Sequence, residues 1–409
     1  MNATTTDIAP GAGTHADRRA YRLTSIDMLR GLVIVIMAID HARDFFSASM
    51  SIDPLSDPNV SPALFFTRWI THFCAPVFVC LAGVSAGLMA ARKSTSELFR
   101  FLLTRGVWLI FVEVVVISTA TTFAPGGIEQ LGGKTLVFLQ VIWAIGSSMV
   151  LLSVLQYLGR RVCLALGLLI VLGHNLLDGH WPVAANLLDT SPPLWAGLHV
   201  AMSHVAVPFH LLILYPMLPW LGVMLLGFGV SALFERAPDV RRRALIAWGL
   251  AITAFFIVLR ALDVYGEPNP WEGHARVLAT VFDFLNTSKY PPSLLFLAMT
   301  LGPAAIFCAF AERWRGWLKD TLVMFGRVPF AFYVAHFYLL HVMSLLLGAW
   351  QGVPVGELLT FPVFYPMGYG VSLGPVYALW AVAIVLLYPL CRWMAAVKAR
   401  NRAWWLSYL

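Results

Sequence analysis

The feature that most constrains this chain is an apolar segment with ionisable side chains inside it. Residues 26–46 form an apolar run that is long enough to cross a bilayer as a helix. The run nevertheless contains Asp27, Arg30, Asp40, His41, Arg43 and Asp44. Because charged groups at membrane depth are costly, such residues either pair with one another or form a functional site. The segment therefore predicts a membrane protein with a polar site on its first helix.

The composition of the whole chain supports a membrane protein and excludes several other classes. Of its 409 residues, 59% are hydrophobic and 12% are charged, whereas soluble domains average about 45–50% and about 25%. The net charge of +7 is not a nucleic-acid signal, because the basic residues are spread over alternate loops. We therefore predict an all-α, polytopic integral membrane protein whose surroundings are lipid and which binds no nucleic acid.

Apolar runs of roughly 17–25 residues predict about ten transmembrane helices. The predicted spans are residues 26–46, 65–91, 98–118, 135–158, 162–177, 211–234, 244–264, 292–311, 321–348 and 374–397. A shorter apolar segment, residues 195–210, is predicted to be re-entrant or to lie along the interface. We expect residues 1–22 to be a disordered tail, residues 23–400 to form a single transmembrane domain and residues 401–409 to be a second tail.

Basic residues cluster in every second loop. They precede the first predicted span, follow the second, fourth, sixth and eighth, and end the chain. The positive-inside rule assigns these loops to the cytoplasm, which places both termini there. The opposite loops are longer and carry Pro, Gly and aromatic residues. This composition is typical of an interfacial aromatic belt and would also suit a polar, sugar-like acceptor.

Helical geometry places several ionisable residues on one face. An α-helix turns about 100° per residue, so His41 and Asp44 fall within roughly 40° of Arg30. His72 opens the second apolar run at a similar depth. A histidine beside a carboxylate can act as a general base with an orienting partner. We therefore predict His41 or His72 as the base, with Asp40 or Asp44 as the orienting carboxylate.

Further candidates lie in each half of the predicted membrane. Three arginines in the cytoplasmic half would suit an anionic, phosphate-bearing cofactor, and they are Arg30, Arg105 and Arg327. Candidate substrate contacts in the middle and outer half are Arg68, Lys289, Tyr290, His336 and His341. The alternative for these residues is helix packing or interfacial anchoring. No metal is expected, because the candidate histidines lack metal-ligand spacing, and no Walker or GxGxxG motif is present.

Two short motifs resemble the start of a known catalytic domain. Residues 25–31 read SIDMLRG and residues 72–83 read HFCAPVFVCLAG, and both resemble heparan-alpha-glucosaminide N-acetyltransferases. Residues 286–301 and 325–341 are similar to bacterial members of that family. The resemblance implies a membrane acyltransferase that moves an acetyl group from cytosolic acetyl-CoA to an acceptor on the far side. The implied acceptor is an amino sugar or another cell-envelope glycan, and the implied location is the bacterial inner membrane.

The chain departs from the animal enzymes of this family near the implied site. Those enzymes carry a catalytic histidine in the loop between the first two helices, and the corresponding residues 47–62 contain none. The family's asparagine at the end of the first helix matches His41, and its aspartate before the second helix matches His72. The resemblance therefore implies that the acid–base role has moved to one of these histidines or has been lost.

Two alternatives to an acetyltransferase remain open from the sequence. A proton-coupled transporter or permease would use buried Asp, His and Arg residues equally well, although the chain shows no inverted repeat. A non-catalytic partner protein would keep the fold and lack the chemistry. A homodimer is compatible with the sequence, as are both direct acetyl transfer and an acyl-histidine intermediate.

Overall fold

The computed structural model describes residues 23–48, 54–57, 59–182, 192–401, 403 and 406, and these are mostly helical. The expected tail of residues 1–22 and most of the expected tail of residues 401–409 lie outside the described residues. The α-helices are α1 (Thr24–Phe46), α2 (Pro62–Ile70), α3 (Cys74–Ala90), α4 (Thr95–Phe111), α5 (Ser118–Thr122), α6 (Val141–Leu155), α7 (Gly159–Gly173), α8 (Met217–Val230), α9 (Pro238–Leu262), α10 (Val277–Leu285), α11 (Leu294–Ala311), α12 (Trp317–Arg327), α13 (Pro329–Gln351), α14 (Val355–Leu358) and α15 (Leu373–Arg400).

The described helices confirm an all-α, polytopic membrane protein, but they do not confirm ten spans. Eight helical runs in the described part of the chain are long and apolar enough to cross a membrane. They are Pro62–Ala90, Thr95–Thr122, Val141–Leu177, Met217–Glu235, Pro238–Leu262, Leu294–Ala311, Pro329–Gln351 and Leu373–Arg400. Helix α1 has a comparable length, but its charged residues set it apart from these eight. Helices α6 and α7 together form one of the eight runs.

The two ends of the bundle are distinguished by the directions of its first and last helices. Helix α15 runs antiparallel to α1, because Val371 pairs with Ser47 at one end and Lys398 reaches the carbonyl of Arg327 near the other. We call the end where α1 begins and α15 ends the terminal face. The opposite end carries a small β-sheet, and we call it the sheet face.

Helix α1 lies at the centre of the bundle and packs against α3, α11, α12, α13 and α15. Its closest neighbour is α12, since a Cβ atom on Gly31 would collide with the backbone carbonyl of Leu322. A Cβ atom on Gly326 would likewise collide with the carbonyl of Asp27. Small residues at such crossings let two helix backbones approach closely. This contact fixes the start of α1 against the end of α12 at the terminal face.

We expect Gly326→Ala to destabilise the protein by about 1–3 kcal/mol, because an added methyl group has no space between α1 and α12. Gly374→Ala is the matched control, since Gly374 also lies in a helix and its Cβ position is open. Thermal unfolding of detergent-solubilised protein would compare the two. Equal stability of both variants would contradict the close crossing.

A three-stranded sheet was not predicted from the sequence. Its strands are β1 (Thr135–Leu139), β2 (Met202–Ala206) and β3 (Phe209–Ile213), in the order β1-β3-β2. Strand β1 runs parallel to β3 with Thr135 opposite Phe209, and β2 runs antiparallel to β3 with Met202 opposite Ile213. The predicted starts of two spans at residues 135 and 211 are therefore wrong, because these short apolar runs pair as strands. Residues 195–210 contain the end of a 3₁₀ turn and strand β2 instead of a re-entrant helix.

Prolines divide two of the predicted spans. A 3₁₀ turn, Thr71–Phe73, separates α2 from α3. Pro76 follows it and has no backbone N–H to donate to the carbonyl of His72, which weakens the regular helix at that point. The predicted span 321–348 is likewise two helices, since α12 ends before Pro329 and α13 begins with it.

Candidate functional site

Two histidines from different helices share a short hydrogen bond in the core of the bundle. His41 lies in the last part of α1, and His336 lies in α13. Nδ1 of His41 is 2.6 Å from Nε2 of His336, and the stacked rings have centroids 4.9 Å apart. His336 is completely buried. The sequence predicted both residues as site candidates, and the structure brings them into direct contact.

The hydrogen-bond network assigns the protonated nitrogen of each ring. Nδ1 of His336 lies 2.5 Å from the carbonyl oxygen of Tyr333, which accepts and cannot donate. Nδ1 of His336 therefore carries the proton, and Nε2 of the neutral ring is an acceptor. Nδ1 of His41 must then donate to it, which leaves Nε2 of His41 unprotonated. No hydrogen bond from the described residues engages this Nε2, so it offers the lone pair that a general base needs.

A buried ionic cluster surrounds Asp40, the residue before His41. Oδ2 of Asp40 lies 2.6 Å from Nη1 of Arg68 and 3.9 Å from Nζ of Lys289, and Oδ1 lies 3.5 Å from Nη2 of Arg43. Asp44 is 2.9 Å from the same Arg43 guanidinium. Both predicted carboxylates therefore face cations. Orientation of the histidine pair comes instead from a backbone carbonyl.

A small polar cavity of about 20 Å³ lies between the histidine and this cluster. Its lining comprises Met37, Asp40, His41, Thr71, Cys74, Ala75, Phe78, Gln140, Val141, Tyr215 and Lys289. The volume is enough for about one water molecule. His41 and Lys289, predicted as base and substrate contact, thus line the same space.

A larger cavity of about 390 Å³ occupies the terminal-face side of the histidine pair. Its basic lining residues are Arg30, Arg105, Arg327 and Lys398. The rest of the lining is mostly apolar and includes Ile34, Met37, Phe78, Phe101, Leu109, Val141, Ile145, Phe330 and Tyr333. Ligand pockets typically have volumes of about 300–1,000 Å³. The three arginines predicted as cofactor contacts therefore converge on one ligand-sized space.

Arg30 is held in place by groups from three elements. Its Nη2 donates to Oγ of Ser85 at 3.1 Å, and its Nη1 lies 3.3 Å from the carbonyl oxygen of Gly326. The same Nη1 lies 3.2 Å from Oδ1 of Asp27, whose other oxygen is 3.8 Å from Nε of Arg327. The negative charge of Asp27 thus partly neutralises the positive charges of Arg30 and Arg327. The guanidinium of Arg30 is pre-positioned, as suits recognition of a phosphate.

A thin apolar wall separates the two cavities. Met37, Phe78 and Val141 line both of them. His41 lines the small cavity, and Tyr333, whose carbonyl oxygen accepts a hydrogen bond from His336, lines the large one. A ligand whose reactive end reached this wall would therefore lie next to the proposed base.

The structure does not bring His72 or His341 to either cavity. The ring of His72 is buried against that of Phe296, with centroids 5.2 Å apart. Neither of its nitrogens has a hydrogen-bond partner among the described residues. His341 lies with Nδ1 2.8 Å from the carbonyl oxygen of Ala120 and Nε2 3.1 Å from that of Leu358. Its contacts fit a residue that ties α13 to its neighbours.

Glu267 anchors the loop that carries Lys289 and Tyr290. Its carboxylate accepts a hydrogen bond from the hydroxyl of Ser293 at 2.6 Å and from the backbone amide of Ser288 at 3.0 and 3.1 Å. Burial raises the pKa of Glu267, and these hydrogen bonds offset part of the rise. The Lys289 ammonium lies 5.3 Å from the centre of the Tyr290 ring. The loop is thereby fixed with Lys289 facing Asp40.

Some site residues were not predicted from the sequence. Gln140 and Tyr215 line the small cavity, whereas Ser85 and Lys398 line the large one. Gln140 had a usable signal, because it is an isolated amide within an apolar run, where polar residues are rare. In the described part of the chain, no three His, Cys, Asp or Glu residues lie close enough together to hold a metal ion.

Together these features define a polytopic membrane protein with a hydrogen-bonded histidine pair between a basic cavity and a small polar one. Residues 22–265, more than half of the chain, match the family described as "Heparan-alpha-glucosaminide N-acetyltransferase, catalytic". The chain therefore belongs to this family, as its sequence motifs predicted. The match includes His41 and ends before α13, which supplies His336. No curated protein matches the chain significantly.

Proposed function

We propose that the protein transfers an acetyl group from acetyl-CoA to an acceptor amine or hydroxyl across the membrane. One observation carries the proposal: the hydrogen-bonded His41–His336 pair lies beside the wall between a basic, ligand-sized cavity and a polar cavity. Membership of the acetyltransferase family supports acetyl-CoA as the donor. Without that membership, the same cavity would indicate only a phosphate-bearing ligand.

Acetyl-CoA is proposed to bind from the terminal face. Its phosphates would contact Arg30, Arg105, Arg327 and Lys398, since guanidinium groups bind phosphate through paired hydrogen bonds. Its uncharged arm would follow the apolar lining towards Met37. The alternate basic loops support a cytoplasmic location for this face under the positive-inside rule. In a bacterium, the protein would then lie in the inner membrane with both termini inside.

His41 is proposed as the general base. Its Nε2 would remove a proton from the acceptor as the acceptor's nitrogen or oxygen attacks the thioester carbonyl. The C–S bond would then break, and the departing thiolate would receive that proton from the His41 imidazolium. His336 accepts from the other nitrogen of His41 and is itself fixed by Tyr333. This arrangement corresponds to a base held by an orienting partner.

The acceptor is proposed to approach from the sheet face. The small cavity has room for about one water molecule, so the acceptor must widen it on binding. Lys289 and Asp40 would offer a donor and an acceptor for hydroxyl and amino groups. Arg68, which pairs with Asp40, and Tyr290, which lies beside Lys289, are proposed as further contacts of the acceptor. An amino sugar or another cell-envelope glycan fits this set of polar groups.

We expect Arg30→Ala to weaken acetyl-CoA binding by about 1.5–3 kcal/mol, the range for hydrogen bonds to charged groups. Arg30→Lys should recover only part of the affinity, because it keeps the charge and loses the planar fork. Isothermal titration of the detergent-purified protein with acetyl-CoA would measure both variants. Arg313→Ala serves as the control, since Arg313 is exposed and does not line the cavity. Parent-like affinity in Arg30→Ala would remove this residue from the donor site.

A further inference from the structure

Gln140 carries a buried hydrogen-bond donor with no partner at the site. Its side chain is 6% exposed, and Nε2 has no hydrogen-bond partner among the described residues. Gln140 lines the same small cavity as His41. A buried amide without a partner is costly, so such a group is expected to have a ligand. In this cavity, the group bound by Nε2 would be an oxygen atom that accepts a hydrogen bond.

The fold supports Gln140 with a buried carboxylate. Gln140 lies between the end of β1 and the start of α6. Its backbone amide donates to Oε1 of Glu113 at 2.8 Å, and Glu113 is completely buried in a π-helical turn, Val112–Ile117. Such turns are rare in proteins, and those that occur are often found at functional sites. Glu113 therefore fixes the backbone from which the Gln140 side chain extends.

We propose that Gln140 is a catalytic residue whose Nε2–H group donates to the thioester carbonyl oxygen. This inference rests on the proposed acetyl transfer. When the acceptor attacks, the carbonyl π electrons move to oxygen, and the resulting oxyanion accepts from Gln140. When the C–S bond breaks, the electrons return to the carbonyl and the thiolate takes the proton held by His41. No further reactant is needed.

Two neighbouring groups favour an oxyanion at this position. Lys289 is 8% exposed and lines the same cavity, and its ammonium group supplies a positive charge there. Gln140 also immediately precedes α6, a helix of 15 residues. The start of a helix carries a partial positive charge, which stabilises an adjacent anion. Asp40 attracts the same lysine, at 3.9 Å, and this contact holds the ammonium beside the cavity.

The test uses Gln140→Met, which keeps the length of the side chain and removes the donor. With acetyl-CoA as donor and D-glucosamine as the probe acceptor, we expect kcat for CoA release to fall about 10²–10³-fold. The KM for acetyl-CoA should change by less than about twofold, because the bond strengthens in the transition state. Gln351→Met is the matched control, since Gln351 binds the backbone of Gly370 at the sheet face and lines neither cavity.

An infrared measurement separates this role from a structural one. The carbonyl stretch of ¹³C-labelled acetyl-CoA should shift to lower frequency on binding the parent, and Gln140→Met should lose that shift. If Gln140→Met does not fold, Gln140→Asn is used instead. Its side chain is shorter by one methylene group, which moves the amide away from the cavity, so kcat and the infrared shift should be lost in the same way. A parent-like kcat or a retained shift in the variant that folds would overturn the inference and leave the proposed function standing. If the parent neither binds acetyl-CoA nor releases CoA, the proposed function fails and the inference fails with it.

Discussion

His41→Gln is expected to lower the rate of acetyl transfer by about 10²–10⁴-fold while acetyl-CoA binding stays near the parent value. Glutamine has a similar volume to histidine, so the packing of α1 against α13 should be kept. It has no basic nitrogen, so the acceptor keeps its proton. CoA release measures the rate, and isothermal titration measures the binding.

His72→Gln provides the control for this prediction. His72 is as deeply buried as His336, but it contacts neither cavity, so its variant should transfer acetyl groups at close to the parent rate. A large loss in His72→Gln with normal turnover in His41→Gln would assign the base to the other histidine.

Asp40→Asn is expected to destabilise the protein by about 3–5 kcal/mol, the cost of breaking a buried ion pair by removing one partner. Asp40 is the shared partner of Arg43, Arg68 and Lys289. Its replacement with a neutral amide leaves three cations close together in a buried site. Chemical or thermal unfolding in detergent would give the loss of stability.

Asp44→Asn is the matched control for Asp40→Asn. The side chain of Asp44 is 29% exposed, against 11% for Asp40, and its ion pair among the described residues is with Arg43 alone. Water and the carboxylate of Asp40 can compensate for the loss of Asp44, so we expect the free energy of unfolding to change by less than about 1 kcal/mol. Equal destabilisation by the two substitutions would show that Asp40 is not the centre of the cluster.

The sequence was sufficient for the features that depend on hydrophobicity and depth. Long apolar runs predicted a polytopic helical protein, since only a hydrogen-bonded helix or a closed barrel satisfies its backbone in lipid. Charged residues inside the first run identified α1 as the polar helix. Arg30, Arg105 and Arg327 were assigned to one half of the membrane by chain order, and the structure places all three around one cavity.

Other features depend on contacts between distant parts of the chain. Strands β1 and β3 are apolar runs that resemble the starts of helices, and only their pairing with each other distinguishes them. The contact between His41 and His336 depends on how α1 and α13 are rotated against one another, which chain order does not fix. The partners of Asp40 also depend on such contacts. Its neighbours in sequence suggested a histidine partner, whereas Arg68 and Lys289 reach it from other elements.

The most direct test of acetyl transfer across the membrane uses sealed proteoliposomes with D-glucosamine trapped inside and ¹⁴C-acetyl-CoA added outside. We predict labelled N-acetylglucosamine inside the vesicles, with free CoA remaining outside, and a loss of both signals in His41→Gln. A transporter would instead deliver intact labelled acetyl-CoA to the interior. That result, or the absence of label on the trapped sugar from protein that binds acetyl-CoA, would contradict transfer to an amino sugar through the His41–His336 site.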